Sequence, residues 1–584
     1  MKTYKIIFRT FVLTMSMTIL AACANSEKGG RTTPNTTNAV IEENSVQQPP
    51  EKDYYASPQD MRNRQSESVA KQSVANQPKL YEQKKEIGKQ DTKGTKDKPI
   101  TNVDDELSKG ENTDDYNRIV ENQFITPQVN PLSTFSIDVD NASYSHCRSL
   151  ISGGQLPSKH AVRIEEFINY FDYEYPNPTG EHPFSITTEV APAPWNPKHQ
   201  LVHIGLQGKK IDYEKLAPSN LVFLLDVSGS MEDANKLPLL RSSLKLLLNE
   251  LSEKDKIAIV VYAGAAGLVL PSTPASDKQK IIDALDKLQA GGSTAGGAGI
   301  ELAYKIAKEN FIKEGNNRII LATDGDFNVG VSSQASLVDL IVEKRKEGVF
   351  LTICGFGMGN YKDGTMEELS RNGNGNYYYI DQINEAKKVF VKEMRSTLFT
   401  IAKDVKLQVE FNPSKVQAYR LIGYENRMLK SEDFNDDKKD AGELGAGHTV
   451  TALYEIIPVG IESEFVKSVD KLKYQVATQN NQAGSNELLA VKFRYKKPNE
   501  EVSKLIEQTV VKSNVMDLVK TSNNFRFSAA VAEFGLLLRD SEFKGQANYM
   551  NVMNLAGGAI GKDTEGYRKE FIKMVENCGL MAKK

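Results

Sequence analysis

Two carboxylates and three hydroxyls, carried by three separate loops, are the side chains of this sequence best placed by type and spacing to act together. Asp226, Ser228 and Ser230 form an Asp-x-Ser-x-Ser run directly after the apolar stretch Leu221 to Leu225. Thr294 closes Gly291-Gly-Ser-Thr294 ahead of a helical pattern, and Asp324 lies in Thr323-Asp-Gly-Asp326, directly after Arg318 to Ala322. All of them offer hard oxygen donors, the kind that Mg²⁺ accepts in near-octahedral geometry and that Mn²⁺ and Ca²⁺ also take. The carboxylates formally balance a divalent ion while the hydroxyls add only dipoles, so such an ion keeps attraction for a further anionic oxygen. A Glu or Asp side chain of a protein partner would supply one. No nucleophile or general base accompanies the set, so it reads as a binding site and the chain as non-enzymatic.

Other readings of these residues are weaker. An isolated Asp-x-Ser-x-Ser is also a capped turn, because Asp and Ser accept backbone hydrogen bonds at helix starts; it is the agreement of three loops that favours a metal. Asp324-x-Asp326-x-Asn328 falls short of an EF-hand loop, which needs Gly and Glu where this chain has Val329 and Ala335. The glycines of Gly291 to Gly299 lack the Lys-Ser or Lys-Thr ending of a phosphate-binding loop and are better explained by tight helix packing. Neither Gly-x-Ser-x-Gly nor His-Glu-x-x-His occurs. His199 and His203 share one face of a strand with no third ligand, which suits packing or solvent-facing histidines better than a zinc site. An enzyme acting on a phosphate ester is a distant third reading.

Loops far apart in sequence converge only if the strands they leave are neighbours in one sheet. Between residues 220 and 401, apolar runs (Leu221 to Leu225, Ile257 to Tyr262, Arg318 to Ala322, Val349 to Phe356) alternate with helical patterns (Leu237 to Leu251, Ala295 to Phe311, Ala335 to Glu347, Glu385 to Leu398). That alternation predicts an α/β, doubly wound, mostly parallel sheet covered on both faces. Around it the pattern changes. Residues 127–219 predict an α+β region, with a helix over Val162 to Phe171 and strands over Phe184 to Val190 and Gln200 to Leu206. Residues 402–500 predict a β-rich domain, with strands over Val405 to Phe411 and Glu487 to Tyr495 that pack with the strands of 180–210, while residues 501–584 read as helical.

At 584 residues the chain is too long for one core, and a formal net charge of -3 lacks the basic excess of a nucleic-acid binder. Lys2, Lys5 and Arg9 precede the apolar run Phe11 to Leu20, an export signal over residues 1–22 that is too short to span a bilayer. Leu20-Ala-Ala-Cys23 resembles the lipobox of bacterial lipoproteins, which implies cleavage before Cys23 and a lipid on its sulfur. Ala24 after the lipid site implies, by the sorting rules of such proteins, the outer membrane in a host with two membranes. Residues 23–126 are polar with no sustained apolar period and predict a disordered tether that holds the folded part outside the cytoplasm. Of the other cysteines, Cys354 lies in an apolar run and reads as buried, and no spacing supports a bond between Cys147 and Cys578.

The three loops together resemble the metal-ion-dependent adhesion site of the von Willebrand factor type A domain: Asp-x-Ser-x-Ser in the first, Thr294 in the second, Thr323-Asp-Gly in the third. The wider runs Asn220 to Met231, Gln289 to Gly299 and Ile320 to Gly330 are similar to a bacterial lipoprotein subfamily of such domains, with flanking regions at both ends. The resemblance implies direct coordination by Ser228 and Ser230, with Thr294 direct or water-bridged and Asp226 and Asp324 acting through water. It implies an adhesion or protein-binding module; the alternative is an envelope scaffold in which the ion only stiffens the loops.

Overall fold

The computed structural model describes residues 114–211, 217–292, 296–325, 333–359, 361–394, 399–439, 441–466 and 481–582. The expected signal, Cys23 and most of the expected tether lie outside them. The end of that tether corrects the expectation, because residues 114–126 lie against the folded body. The Asp115 amide donates to the Tyr361 carbonyl (2.9 Å), and Ile125 and Tyr419 exchange backbone hydrogen bonds of 2.9 Å. Phe124 stacks on Phe465 with ring centroids 5.4 Å apart. A window average hides such anchors, since a few aromatics spaced among polar residues suffice to dock an extended segment.

After β1 (Leu132–Ser136) come helices Ala142–Ser152 and Ile164–Asn169, then the hairpin β2 (Phe184–Ala193) and β3 (Asn196–Gly208). Next is the α/β unit, with β4 (Ser219–Asp226), β5 (Lys256–Tyr262), β6 (Ala266–Pro274), β7 (Asn316–Thr323), β8 (Val349–Phe356) and β9 (Tyr377–Ile380). The chain then returns through β10 (Thr400–Phe411), β11 (Val416–Ile422), β12 (Met428–Leu429), β13 (Gly442–Gly445), β14 (Thr449–Pro458), β15 (Glu487–Lys496) and β16 (Lys504–Val511).

The strands before and after the α/β unit form two sheets. One runs β12-β1-β10-β15-β16 with β13 also on β10, and the other runs β11-β14-β3-β2. Alternation explains the inner faces: Leu407, Val409, Val491 and Phe493 point into the same core as Val202 and Ile204. Lys406 and Gln408, on the other face of β10, are also buried, and the Lys406 ammonium donates to the Asp436 carbonyl. The helical reading of the tail from residue 501 is corrected by β16, which pairs antiparallel with β15. The helices begin at Asn523: Asn523–Leu538, Tyr549–Gly557 and Tyr567–Met581 pack through Phe527, Phe534 and Phe571 against Phe167 and Phe171 near the N-terminus.

The α/β sheet has the order β6-β5-β4-β7-β8-β9. β4, β5, β7, β8 and β9 are parallel and β6 runs antiparallel on β5. The run Leu221 to Leu225 is buried on both faces. Leu221, Phe223 and Leu225 meet helices Leu237–Glu250 and Lys278–Asp286, while Val222 and Leu224 meet Gly296–Glu309 and Gln334–Lys346. Gly299 lets its helix lie close, since a Cβ there would sit 2.9 Å from that of Tyr262. Of the helix expected from Glu385, Ile383–Lys387 is α-helical and Lys388–Glu393 widens into a π-helical turn. Cys147, Cys354 and Cys578 are buried free thiols. Among the described residues no helix is long and apolar enough to cross a membrane.

Candidate functional site

β4 and β7 are parallel neighbours with Leu225 opposite Ala322, so Asp226 and Asp324 leave the same end of the sheet from adjacent strands. The loops after them are tied together. The Val227 amide donates to the Tyr262 carbonyl (3.0 Å) at the end of β5, the Gly291 amide to the Val227 carbonyl (2.8 Å) and the Gly229 amide to the Gly292 carbonyl (3.1 Å). The first and second loops are thus zipped by their backbones. Thr294 and Asp326 lie outside the described residues.

Asp226 is fully buried, with Oδ1 accepting from the Ser228 amide (2.9 Å) and Oδ2 from the Thr323 hydroxyl (3.3 Å). Burial pushes its carboxyl above the usual range, opposed by the bonds from Ser228, while the charge of Asp324 adds to the rise. The Ser228 and Ser230 hydroxyls are 3.0 Å apart; Ser228 is buried and Ser230 opens to solvent. In the third loop the Gly325 amide donates to Thr323 Oγ1 (3.2 Å), and Gly325 takes φ +101°, with a Cβ there 2.9 Å from Tyr361 Cα. That contact seats Asp324 beside Asp226. Asp324 is 7% exposed, and its Oδ1 is buried with no hydrogen-bond partner among the described residues.

An orphaned carboxylate oxygen next to a second carboxylate and two hydroxyls is an arrangement that a hard cation fits and water-free packing does not. Among the described residues no three or more His, Cys, Asp or Glu side chains gather in a way that could hold an ion.

The sequence reading missed Lys236. Its ammonium donates to Asp324 Oδ2 (3.1 Å) and to the Ser230 carbonyl (2.9 Å). Lys236 stands immediately before helix Leu237–Glu250, a cation at the positive end of the helix dipole, and the bonds to Asp324 and Ser230 hold it there. Thr323, which bridges the first and third loops, was also missed as a supporting residue.

His199 and His203 are packing residues. The Glu455 carboxylate accepts from His199 Nδ1 (2.5 Å), Trp195 Nε1 (3.1 Å) and Arg420 Nη2 (2.8 Å), and His199 Nε2 lies 3.2 Å from Ser463 Oγ. Burial disfavours the Glu455 charge, but the bonds from His199 and Arg420 hold its carboxyl below the usual range. Burial lowers His203 to about 3, so the ring is neutral, and its Nε2 meets the Tyr175 hydroxyl at 2.9 Å.

A doubly wound sheet with Asp-x-Ser-x-Ser and Thr-Asp-Gly at the ends of adjacent central strands defines a von Willebrand factor type A domain, and residues 220–392 match the family model described as "von Willebrand factor type A domain". Residues 110–203 match one described as "von Willebrand factor", and residues 396–581 one described as "Uncharacterized protein YfbK, C-terminal". The chain belongs to the YfbK family: it is 45% identical over 457 residues to the Escherichia coli (strain K12) protein described as "Uncharacterized protein YfbK", covering 76% of this chain and 78% of that one. It is also similar to human inter-alpha-trypsin inhibitor heavy chain H4, 32% identical over 150 residues, 24% of this chain and 16% of that one. Among solved structures, a von Willebrand factor type A protein from Catenulispora acidiphila aligns with a TM-score of 0.37 at 15% identity, covering 69% of this chain and 91% of that one.

Proposed function

We propose that this protein is a non-enzymatic envelope lipoprotein that binds an acidic side chain of a protein partner through a divalent ion, Mg²⁺ or one of the hard ions Mn²⁺ and Ca²⁺. Asp226, Ser228, Ser230, Thr294 and Asp324 hold the ion. The observation that supports this most is the buried Asp324 Oδ1 with no partner among the described residues, on a carboxylate close enough to Asp226 for its charge to be felt there. When bound, the ion supplies an electrophilic centre that attracts a carboxylate oxygen. The residues do the rest. Asp226 is anchored by the Ser228 amide and Thr323 hydroxyl, so its charge is fixed in place, and Ser230 stands at the solvent edge where a partner arrives.

The lipid on Cys23 anchors the chain to the membrane, the outer one in a host with two, with the folded part outside the cytoplasm. The N-terminal charge order, apolar run and Leu-Ala-Ala-Cys ending support that part of the reading.

The test is a cross-linked pull-down from envelope extract with native protein, Ser228→Ala and a chelated control. A protein captured by the native chain alone is the ligand of the ion. Equal capture in all three arms sinks the adhesion reading and transfers the contacts to the flanking sheets and helices, leaving the ion a stiffener of loops.

A further inference from the structure

We propose that Lys236 is a resident counter-cation of the oxygen site, which holds Asp324 while no divalent ion is bound, gives it up when one binds, and so sets the metal affinity. The inference rests on the metal-binding reading above and adds its regulation. Asp324 is divided between two fates: Oδ2 takes the Lys236 ammonium at 3.1 Å, while Oδ1 is buried and has no partner among the described residues. An ion seated on Oδ1 therefore arrives beside a positive charge held on the other oxygen of the same carboxylate. The two partners are only 12% and 6% exposed, so the repulsion is poorly screened.

The lysine is built into this position. Its stem passes Gly357, where φ is +72° and any Cβ would collide with the Lys236 side chain, so the channel for it depends on a glycine. It sits at the start of helix Leu237–Glu250, against the helix dipole, and its second bond, 2.9 Å to the Ser230 carbonyl, pins it to the first metal loop.

It also has somewhere to go. Asp233 Oδ2 lies 3.7 Å from the same ammonium, and that carboxylate is 72% exposed. A short swing of a flexible side chain takes the charge from the buried acid to the solvent-facing one. Metal loading is then a cation exchange, in which a monovalent ammonium moves from Asp324 to Asp233 as the divalent ion enters.

Calorimetric titration of the full chain with MgCl₂ and MnCl₂ tests this, using Lys236→Met, which keeps the stem against Gly357, Asp233→Asn and Ser228→Ala. Lys236→Met should bind metal about tenfold more tightly than native or better. In chelator it should melt below native, with the difference closing on metal addition. Asp233→Asn, a change at an exposed residue, should weaken metal binding several-fold by removing the second seat of the ammonium. If native protein binds metal and Lys236→Met binds it no more tightly, the exchange is refuted while the metal site stands. If Lys236→Met does not fold, unchanged affinity in Asp233→Asn refutes it equally. If neither native nor Lys236→Met binds either ion, the metal reading falls and takes this one with it; Ser228→Ala, expected to lose the ion, marks whether binding occurs at this site.

Discussion

Glu533 is fully buried in helix Asn523–Leu538, a carboxylate in the apolar core of the C-terminal helices, and substituting it by Gln should make the protein more stable at alkaline pH. Oε1 accepts from the Asn548 amide at 3.3 Å, and Oε2 is buried without a partner among the described residues. Burial raises its pKa from 4.5 to about 7, and the single Asn548 bond offsets only part of that. The folded state thus holds the proton more tightly than the unfolded chain. Its contribution is fully present below pH 4.5 and is lost as pH rises through about 7. The span corresponds to about 3 kcal/mol at roughly 1.4 kcal/mol per pH unit. Gln is neutral at every pH and its carbonyl can still accept from Asn548, so Glu533→Gln should match native stability near pH 4.5 and exceed it by about 2–3 kcal/mol at pH 8.5. Urea unfolding followed by circular dichroism across that range reads the difference directly. Glu165, also raised to about 7 by burial, titrates in both proteins and cancels from the comparison. Curves that stay parallel from pH 4.5 to 8.5 would refute the reasoning, since the Glu533 carboxyl would then have the same proton affinity folded and unfolded.

The oxygen-lined face and its sheet give further expectations. Gly325→Ala forces a side chain into φ +101° and against the Tyr361 backbone; it should lower stability by about 2–4 kcal/mol and weaken metal binding by tilting Asp324, read by thermal melts and the same titration. Leu224→Ala opens a cavity between β4 and helix Gly296–Glu309 and should cost about 2–5 kcal/mol in urea unfolding, with metal binding kept at temperatures where the fold survives.

The α/β unit was legible because a central parallel strand is buried on both faces and reads as a continuous apolar run, as Leu221 to Leu225 and Val349 to Phe356 do. The same logic explains what was not. β6 is an edge strand with most residues exposed or half-buried and prolines at 271 and 274, so no face of it needs to be apolar. β9 is only four residues long. β16, at the edge of its sheet, alternates half-buried with exposed residues, and Lys, Glu and Gln among them suit a solvated helix as well as a strand. At the site, Asp226, Ser228, Ser230 and Asp324 announced themselves by chemistry at strand ends. Lys236 did not, because its meaning comes from Asp324, distant in sequence, and only the parallel pairing of β4 with β7 brings the two together.

The flanking regions are more than carriers for the α/β unit, because buried charge locks them to it. Arg148, on the N-terminal helix Ala142–Ser152, meets Asp381 through two bonds (2.6 and 2.9 Å) and Glu385 at 2.7 Å, beside the Tyr170 hydroxyl at 2.8 Å. Arg163 pairs with Asp363 and Glu166 in the same way, all of them buried. Such pairs cost desolvation and contribute little net stability, yet removing one partner strands a buried charge, so they hold one docked geometry against alternatives. The consequence reaches the site. Asp363 begins helix Asp363–Asn372, directly after the Tyr361 segment against which Gly325 packs, and Asp114 Oδ1 accepts from the Gly359 and Tyr361 amides (3.2 and 2.8 Å) on the same segment. The backing of the Asp324 loop is therefore fixed by residues from outside the α/β unit. A von Willebrand factor type A domain cut out at residues 220–392 would keep all the oxygens of the site and lose the contacts that position one of its carboxylates.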